Sequence, residues 1–246
     1  MIYVMSDLHG CYEEYIKMLY LINFNDNDTL YILGDICDRG PSPMKILLHM
    51  MEHDNIIPIY GNHDLLAYPA LAKIGLYSKE VLKDRDYAIT HYLMEYEEYR
   101  EYLYWLSDGG RTTLEDYNHL SISDKRKIVK YLSDFKYYDE IKVNNINYVL
   151  IHGGFNDFNP NKQLYEYTIN ELTNSRLDYN KIYYKDKIII SGHTPTKLID
   201  KEYTGKIIKK NNHIAIDCGC VFKCGLGCIC LDNMKEYYVN NNTYKT

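Results

Sequence analysis

The sequence predicts an α/β fold, classed as α+β in some schemes, with helices beside layered β-sheets. Short apolar runs recur along the chain, and segments with helical periodicity separate them. The runs are three to five residues long and rich in Ile, Leu, Val and Tyr, which is typical of strands. We therefore predict strands at residues 2–5, 29–33, 56–60, 148–151, 187–191 and 214–216.

Helices are predicted after the first two runs. Pro41 and Pro43 suit the first turn of a helix through residues 44–52, where the missing N–H of proline costs nothing. After the first run, one helical face would hold four residues, and we expect the apolar ones to face the core: Tyr12, Ile16, Leu19 and Asn23.

A helical insertion is predicted around residues 65–139, beside the sheets rather than as a separate domain. Residues 79–106 and 121–132 have helical patterns. Ser121 and Asp124 have the spacing of a capping box at the start of the second segment. Between the two helical segments, residues 107–113 are predicted to form a loop.

Composition limits the classes of function. The chain has 246 residues, 46% of them hydrophobic, and we expect one domain over residues 1–246. The formal charge of −6 argues against a nucleic-acid partner, because such proteins present a basic surface. We find neither an apolar stretch of about 18 residues nor the pattern of a signal peptide, so we expect no membrane partner and a cytoplasmic location.

Seven cysteines, an odd number, fit a reducing compartment. Five of them lie between residues 218 and 230, but their spacing lacks the C-x2-C units of structural zinc sites. We expect these five to be small core residues on two strands and their connection. Five histidines outside the motifs below are expected to be structural or surface residues: His49, His53, His91, His119 and His213.

Polar residues beside glycine follow five of the six predicted strands. In chain order the motifs read SDLHG, GDICDRG, GNHD, HGG and GHTP. One such motif is typical of a turn, but five at successive strand ends indicate a shared site, because ligands bind at the carboxyl edge of parallel strands. The candidate metal ligands are Asp7, His9, Asp35, Asn62, His152 and His193.

These donors are nitrogen and oxygen atoms without thiolate, which suits Mn, Fe or Zn better than Ca. Six donors are too many for one zinc ion but suit two ions that share a bridging carboxylate. Two ions about 3.5–4 Å apart can clamp a phosphoryl group and lower the pKa of a water between them. The sequence therefore predicts two divalent transition-metal ions, with Mn preferred, and a phosphoester substrate.

In this order the five motifs resemble the metal-dependent phosphoprotein phosphatases within the calcineurin-like metallophosphoesterases, especially compact bacterial and phage-type serine/threonine phosphatases. The resemblance runs from residue 1 to about 231, and residues 214–232 are similar to the closing strand pair of the family. It implies a layered β-sandwich flanked by helices. It also implies kinship with symmetrical diadenosine tetraphosphatases.

The resemblance implies a role for each motif residue, with a metal-bridging hydroxide as the nucleophile. His63 matches the general acid that protonates the leaving group, and Asp38 matches the carboxylate that orients it. Arg39 matches a phosphate-binding arginine. The ligands divide between the two ions: Asp7 and His9 for the first, Asp35 for both, and Asn62, His152 and His193 for the second.

Two further arginines are candidates for the substrate site. Arg176 lies about two dozen residues after the HGG motif, where the family has a second catalytic arginine that binds phosphate. Arg111 belongs to a stretch similar to a loop near the active site of bacterial relatives, and it is a candidate substrate contact. Asp64 stands where protein phosphatases usually have glutamate, which leaves open any salt bridge that the glutamate makes.

The resemblance first implies a phosphoric monoester hydrolase that acts on phosphoserine or phosphothreonine in proteins, or on other small phosphoesters. The alternative is a symmetrical dinucleoside tetraphosphate hydrolase. Asp38 favours the protein phosphatase, because the nucleotide-hydrolysing branch commonly lacks this aspartate. Asp64 favours the dinucleoside tetraphosphate hydrolase, whose members also have the motif GNHD. A third hypothesis is a catalytically inactive scaffold that keeps the fold to bind a partner. Loss of a metal ligand would indicate such a scaffold, and no ligand is missing from the motifs.

Overall fold

Two mixed β-sheets pack face to face in the computed structural model, which describes residues 1–75 and 96–240. Both have five strands within the described residues. The first has the order β10-β9-β1-β2-β3, with β1, β2 and β3 parallel. Its strands are β1 (Ile2–Met5), β2 (Thr29–Leu33), β3 (Ile56–Ile59), β9 (Leu226–Cys230) and β10 (Glu236–Val239).

The second sheet has the order β4-β5-β6-β8-β7, with β5, β6 and β8 parallel. Its strands are β4 (Asp139–Val143), β5 (Ile146–Ile151), β6 (Lys187–Ser191), β7 (Ile208–Lys210) and β8 (His213–Ala215). Apolar side chains fill the space between the sheets, Leu33 and Ile59 from one and Leu150 and Ile190 from the other. The two sheets therefore form a β-sandwich, in which the parallel strands are central in the second sheet and extend to the edge strand β3 in the first.

Helices cover the outer face of each sheet, as the α/β prediction requires. The helices on the first sheet are α1 (Tyr12–Ile22), α2 (Pro43–Met51), α3 (Asn62–Gly75), α4 (Tyr96–Trp105), α5 (Arg111–Asn118) and α6 (Ile122–Ser133). Helix α7 (Ile169–Asn174) covers the second sheet, and the short α8 (Thr196–Ile199) follows β6. Among these described residues, no helix is long and apolar enough to span a membrane.

The six predicted strands are confirmed to within two residues at their ends. Strands β4, β7 and β10 were not predicted, because β4 and β10 mix charged with apolar residues and β7 has only three residues. The expected closing strand pair is wrong in one respect. Strand β8 pairs with β6 and β7, whereas β9 pairs with β1 and β10, so the connection crosses from one sheet to the other.

Three helical predictions need correction or limits. Tyr12, Ile16 and Leu19 pack against the core as predicted but are only partly buried, and Asn23 is exposed. The fully buried residues of α1 are Tyr15, Met18 and Ile22. The predicted loop at 107–113 is confirmed only at Asp108 and Gly109, where non-helical backbone forms a kink, and it is wrong for residues 111–113, which begin α5. Of the predicted helix at 79–106, residues 79–95 lie outside the described part of the chain, and so does His91.

Candidate metal centre

The carboxyl ends of five parallel strands meet at one edge of the sandwich and bring the predicted ligands together. Strands β1, β2 and β3 lead to Asp7, Asp35 and Asn62, while β5 and β6 lead to His152 and His193. Five of the six candidate ligands line a cavity of about 430 Å³ that opens to solvent, and His152 is buried behind them. The packing of two sheets therefore joins residues that are far apart in the chain.

Left-handed backbone conformations concentrate at this edge. Non-glycine residues adopt them rarely, at a cost of about 1–3 kcal/mol each, and they cluster at functional sites. Backbone hydrogen bonds hold the loops in place, such as His9 N donating to Asp35 O at 2.8 Å. The site residues with positive φ are Asp7 (51°), His9 (42°), Asp35 (52°), Asp38 (74°), Arg39 (68°) and His193 (62°).

Two glycines allow the backbone to pass close to the carboxylates. A Cβ on Gly61 would lie 2.1 Å from Asp35 Oδ1, and a Cβ on Gly192 would lie 2.2 Å from Asp7 Oδ2. Both distances are far shorter than a van der Waals contact. Any larger residue at either position would therefore displace a candidate ligand.

Asp35 lies at the centre of the site. Its Oδ1 is 3.3 Å from His152 Nε2, its Oδ2 is 3.5 Å from His9 Nε2, and the backbone N–H of His63 donates to Oδ1 at 3.1 Å. Burial alone would raise the pKa of Asp35, but His152, His63 and His9 hold it well below its usual range. An ionised carboxylate thus faces histidines on both sides, which is the placement that a bridging ligand needs.

Asn62, His152 and His193 form one side of the centre. Asn62 Oδ1 lies 3.1 Å from His152 Nε2 and 3.0 Å from His193 Nδ1. The opposite ring nitrogen of His152 donates to Leu33 O, and His193 bonds the backbone of Asn174, so both rings are fixed in orientation. Because these bonds leave one nitrogen of each ring facing oxygens, a proton or a cation is needed between them.

Burial keeps two of the candidate histidines neutral, which is the form that binds metal. It lowers the pKa of His9 to about 3 and that of His193 to about 3. Burial would also lower the pKa of His152, but the Asp35 and Asp7 carboxylates raise it to about 10. The acidic surroundings of His152 therefore favour positive charge at that point.

Asp217 is a buried carboxylate at this edge that the sequence analysis missed. It follows β8, lines the cavity, and accepts a hydrogen bond from Gly219 N at 2.9 Å. Burial raises the pKa of Asp217 to about 6, and burial together with Asp217 raises that of Asp7. The sequence signal was present, since Asp217 follows the sixth predicted strand and precedes Cys218-Gly219 in the manner of the other five motifs.

The residues present fit divalent cations. Several buried carboxylates and neutral imidazoles converge, and two groups have ligand atoms that lie within 4.8 Å of one another. Two ions held here would polarise phosphate oxygens and lower the pKa of a bound water. The groups are His9, Asp35 and His63, and Asp35, His152 and His193, and Asp7 belongs to neither. His63 belongs to the first group by distance alone, because Asp38 and Arg39 contact its two ring nitrogens.

On the other side of the centre, His63 pairs with Asp38. His63 Nδ1 donates to Asp38 Oδ2 at 2.8 Å, while Trp105 Nε1 and Thr113 Oγ1 donate to the same carboxylate at 2.9 and 2.7 Å. Burial would lower the pKa of His63, but the Asp35 and Asp38 carboxylates raise it. The pair can therefore hold a proton on His63 and direct Nε2 into the cavity.

Arg39 spans both histidines of this side. Its NH1 and NH2 groups lie 2.8 Å from His9 Nε2 and 2.7 Å from His63 Nε2. The guanidinium therefore uses the lone pair of His9 that an ion would need, and also the lone pair of His63 Nε2. Arg39 must leave these nitrogens before an ion binds His9 or before His63 carries a proton on Nε2. Arg39 is partly exposed and also pairs with Asp108 at 3.6 Å, so an anion in the cavity would offer it another partner.

The other two arginines are placed differently. Arg176 lines the cavity and donates to Thr194 Oγ1 at 3.1 Å, although more than a hundred residues separate it from Arg39. Arg111 is exposed at the start of α5 and is not among the residues that line the cavity. A contact between Arg111 and the substrate stays a prediction, and the position of Arg111 outside the cavity lining does not support it.

Asp64 makes backbone hydrogen bonds at the position where a salt bridge was in question. Its Oδ1 accepts from Ile36 N and Cys37 N at 3.0 Å, and its Oδ2 accepts from Gly61 N at 3.1 Å. These three bonds join the loop after β2 to the loop after β3. Asp64 thus stabilises the loops that carry Asp35 and Asn62.

With this geometry in view, the match to a family model is decisive. The model described as calcineurin-like phosphoesterase matches residues 1–219, which is most of the chain. The chain belongs to this family. Members of this family are phosphoester hydrolases that use divalent metal ions.

Individual relatives match over shorter stretches. A symmetrical bis(5'-nucleosyl)-tetraphosphatase of Salmonella paratyphi B is 37% identical over 106 residues, 42% of this chain and 35% of that protein. The enzyme of the same name from Wigglesworthia glossinidia brevipalpis is 44% identical over 78 residues, 29% of this chain and 28% of that protein. The matched segments thus span about a third or less of these curated relatives.

Solved structures support the fold over nearly the whole chain. A crystal structure provisionally assigned as a diadenosine tetraphosphatase superposes with a TM-score of 0.64 over 97% of this chain and 92% of that chain, at 14% identity. A metallophosphoesterase from Sphaerobacter thermophilus gives a TM-score of 0.52 over 97% and 86%, at 13% identity. At such low identity these similarities establish the shared fold alone.

Proposed function

We propose that the chain hydrolyses symmetrical dinucleoside tetraphosphates. The named relatives are symmetrical bis(5'-nucleosyl)-tetraphosphatases, which supports this alternative over the protein phosphatase that the sequence analysis preferred. The family membership supports cleavage of a phosphorus–oxygen bond in a divalent-metal centre. The remaining question is which substrate the cavity accepts.

The rim of the cavity carries the observation that favours a nucleotide. The exposed ring of Phe222 lines it, with the Lys197 ammonium 4.6 Å and the Arg39 guanidinium 5.8 Å from the ring centroid. Arg176 adds a further cation. An aromatic face can stack on a nucleobase, and three cations exceed what a single phosphate monoester needs.

A protein phosphatase is the second candidate, and the Asp38–His63 pair favours it. An alkoxide released from phosphoserine is a poor leaving group that needs a proton, whereas a nucleoside diphosphate leaves more readily. The buried pair, 2.8 Å apart, is suited to supplying that proton.

The decisive assay compares diadenosine tetraphosphate with a phosphothreonine peptide, both with Mn²⁺. We expect kcat/KM to favour the dinucleotide by about 100-fold or more, with ADP as the sole nucleotide product because cleavage is symmetrical. A preference for the peptide would overturn the proposal, and ATP with AMP as products would exclude symmetrical cleavage.

A variant pair tests the role of the aromatic rim. Phe222→Ala should lower kcat/KM for the dinucleotide about 5- to 100-fold, the value of one base–aromatic stack, and leave hydrolysis of p-nitrophenyl phosphate nearly unchanged. Tyr20→Ala is the matched control, because Tyr20 is 82% exposed and lies outside the cavity. Equal losses on both substrates would contradict nucleobase stacking.

A further inference from the structure

Two cysteines that are 209 positions apart in the sequence meet beside a carboxylate at the start of α1. The Sγ atoms of Cys11 and Cys220 and a carboxylate oxygen of Glu14 all lie within 4.8 Å of one another. Cys11 immediately precedes α1, Glu14 lies in its first turn, and Cys220 belongs to the connection from β8 to β9. Among the described residues, the other groups this close are the two of the candidate metal centre.

The position of this group allows an ion to reach it. Cys11 and Cys220 are buried and Glu14 is partly buried, and all three line a second cavity of about 430 Å³ that opens to solvent. Arg39 and Lys223 also line that cavity. Their positive charges would offset the excess negative charge of two thiolates and a carboxylate around a divalent ion.

We propose that Cys11, Glu14 and Cys220 bind one thiophilic divalent cation such as Zn²⁺. Tetrahedral zinc with Zn–S bonds of about 2.3 Å places two sulfurs about 3.8 Å apart, which the observed spacing accommodates. The three protein ligands leave a fourth position for solvent. Each Zn–S bond forms as the thiol proton leaves to solvent, and no atom changes oxidation state.

Ligand chemistry separates this site from the centre at the strand ends. The centre offers imidazole, carboxylate and amide donors, which suit harder ions, whereas thiolates select softer ones. Cys228 is the contrasting case, since it is buried on β9 in the same apolar cluster and belongs to none of the ligand groups found among the described residues. The expectation that all five clustered cysteines are core residues is confirmed for Cys218, Cys220, Cys228 and Cys230, which are buried, whereas Cys224 is only partly buried.

The site would connect two parts of the molecule. Cys220 also lines the first cavity, and it begins the single helical turn that ends at Phe222. An ion bound by Cys220 and by two residues at the start of α1 would restrain this turn against the helix. Binding to the folded state alone also raises the free energy of unfolding.

Cobalt substitution provides a test that is independent of activity. Protein already saturated with Mn²⁺ is titrated with Co²⁺, and the near-ultraviolet thiolate-to-cobalt charge-transfer absorption is followed. We expect this absorption to saturate at about one cobalt per chain, because nitrogen and oxygen donors do not produce it. Cys11→Ser and Cys220→Ser should abolish it, and Glu14→Gln should weaken cobalt binding about tenfold or more.

Cys224→Ser is the matched control, because Cys224 lies in the same connection but outside the ligand group. It should retain the full absorption. Absence of the band in the wild type, its persistence in Cys11→Ser, or its loss in Cys224→Ser would each overturn the proposal. If the serine variants fail to fold, Glu14→Gln decides, and unchanged cobalt affinity there overturns the site.

A thiol titration excludes the competing outcome of a disulfide. Metal-free protein purified without reductant should titrate with all of its seven cysteines after denaturation. A count of two fewer thiols that reductant restores would mean that Cys11 and Cys220 form a disulfide, provided that Cys11→Ser shows no such reductant-dependent increase. That result would overturn the metal site.

Discussion

The two sides of the strand-end cavity differ in the charge that their residues favour. On one side, His63 is paired with the Asp38 carboxylate, which Trp105 and Thr113 also hold by hydrogen bonds. On the other side, one nitrogen of His152 and one of His193 face the Asn62 oxygen. The first side is built to keep a proton on a histidine, whereas the second presents lone pairs that a cation would satisfy.

Asp35 belongs to both sides, so its loss should have the largest effect. Asp35→Asn removes the charge that faces His9 and His152, and we expect both ions to be lost and turnover to fall by at least about 10³-fold. Elemental analysis of purified protein measures the ions, and we expect about two per chain in the wild type. Asp134→Asn, an isosteric change at an exposed carboxylate, is the control. Retention of two ions by Asp35→Asn would contradict a bridging role.

His63→Asn should separate the proton-holding side from the cation-binding side. We expect unchanged metal content and a turnover lower by about 10²- to 10⁴-fold, the usual contribution of a general acid. The loss should be greatest for substrates with alkoxide leaving groups and smaller for nitrophenyl phosphate. If turnover is unchanged on all substrates, His63 has no role as an acid.

Asn62→Ala is the complementary change on the cation-binding side. It removes the oxygen that faces His152 and His193, so we expect about one ion per chain instead of about two. Turnover should fall with the missing ion and recover in part at high Mn²⁺ concentration, by mass action. Full metal content at stoichiometric Mn²⁺ would show that Asn62 is not a ligand.

Arg39→Lys should have a moderate effect on substrate binding. Lysine keeps the charge but lacks the fork that reaches His9 and His63 together, so we expect kcat/KM to fall about 10- to 100-fold. Metal content should not fall. Arg100→Lys, on the exposed side of α4, controls for the substitution. An unchanged kcat/KM would argue against phosphate binding by Arg39.

His213→Gln lies on neither side and should leave activity nearly unchanged. His213 is buried, with Nε2 bonded to Ser191 Oγ at 2.8 Å, and burial lowers its pKa to about 3. The unfolded chain, with a histidine pKa of about 6.5, binds a proton that the folded chain does not, so stability falls as pH drops from about 6.5 towards 3. The variant should reduce this slope by up to about 1.4 kcal/mol per pH unit, measured by urea unfolding between pH 5 and 7. An unchanged slope would contradict a neutral buried imidazole.

Local patterns predicted much of the fold and of the site. Residues 29–33 form a strand because their side chains are apolar and of strand-forming type, and Asp35 follows where the sheet edge begins. The same reasoning placed polar groups after the strands at His152 and His193. These predictions needed only the sequence, since strand formation and the turn after it depend on neighbouring residues.

Other features could not be predicted, because they depend on contacts between distant segments. Trp105 and Thr113 bond Asp38 across 67 and 75 positions. They lie on the two helices that meet at the kink of Asp108 and Gly109. Arg39 contacts two histidines at once only because their loops lie side by side. No local sequence pattern indicates which distant residues become neighbours in the fold.

The sequence by itself determined the core strands, the order of the strand-end motifs and the chemistry of their donors, because these depend on residue type and local spacing. Only the tertiary structure decided which donors face each other, that Asp217 joins them, and that Cys220 meets Cys11. The physical reason is that the face-to-face packing of the two sheets sets the distances between their loops, which local sequence does not determine. Burial among those loops then sets the charge of each group.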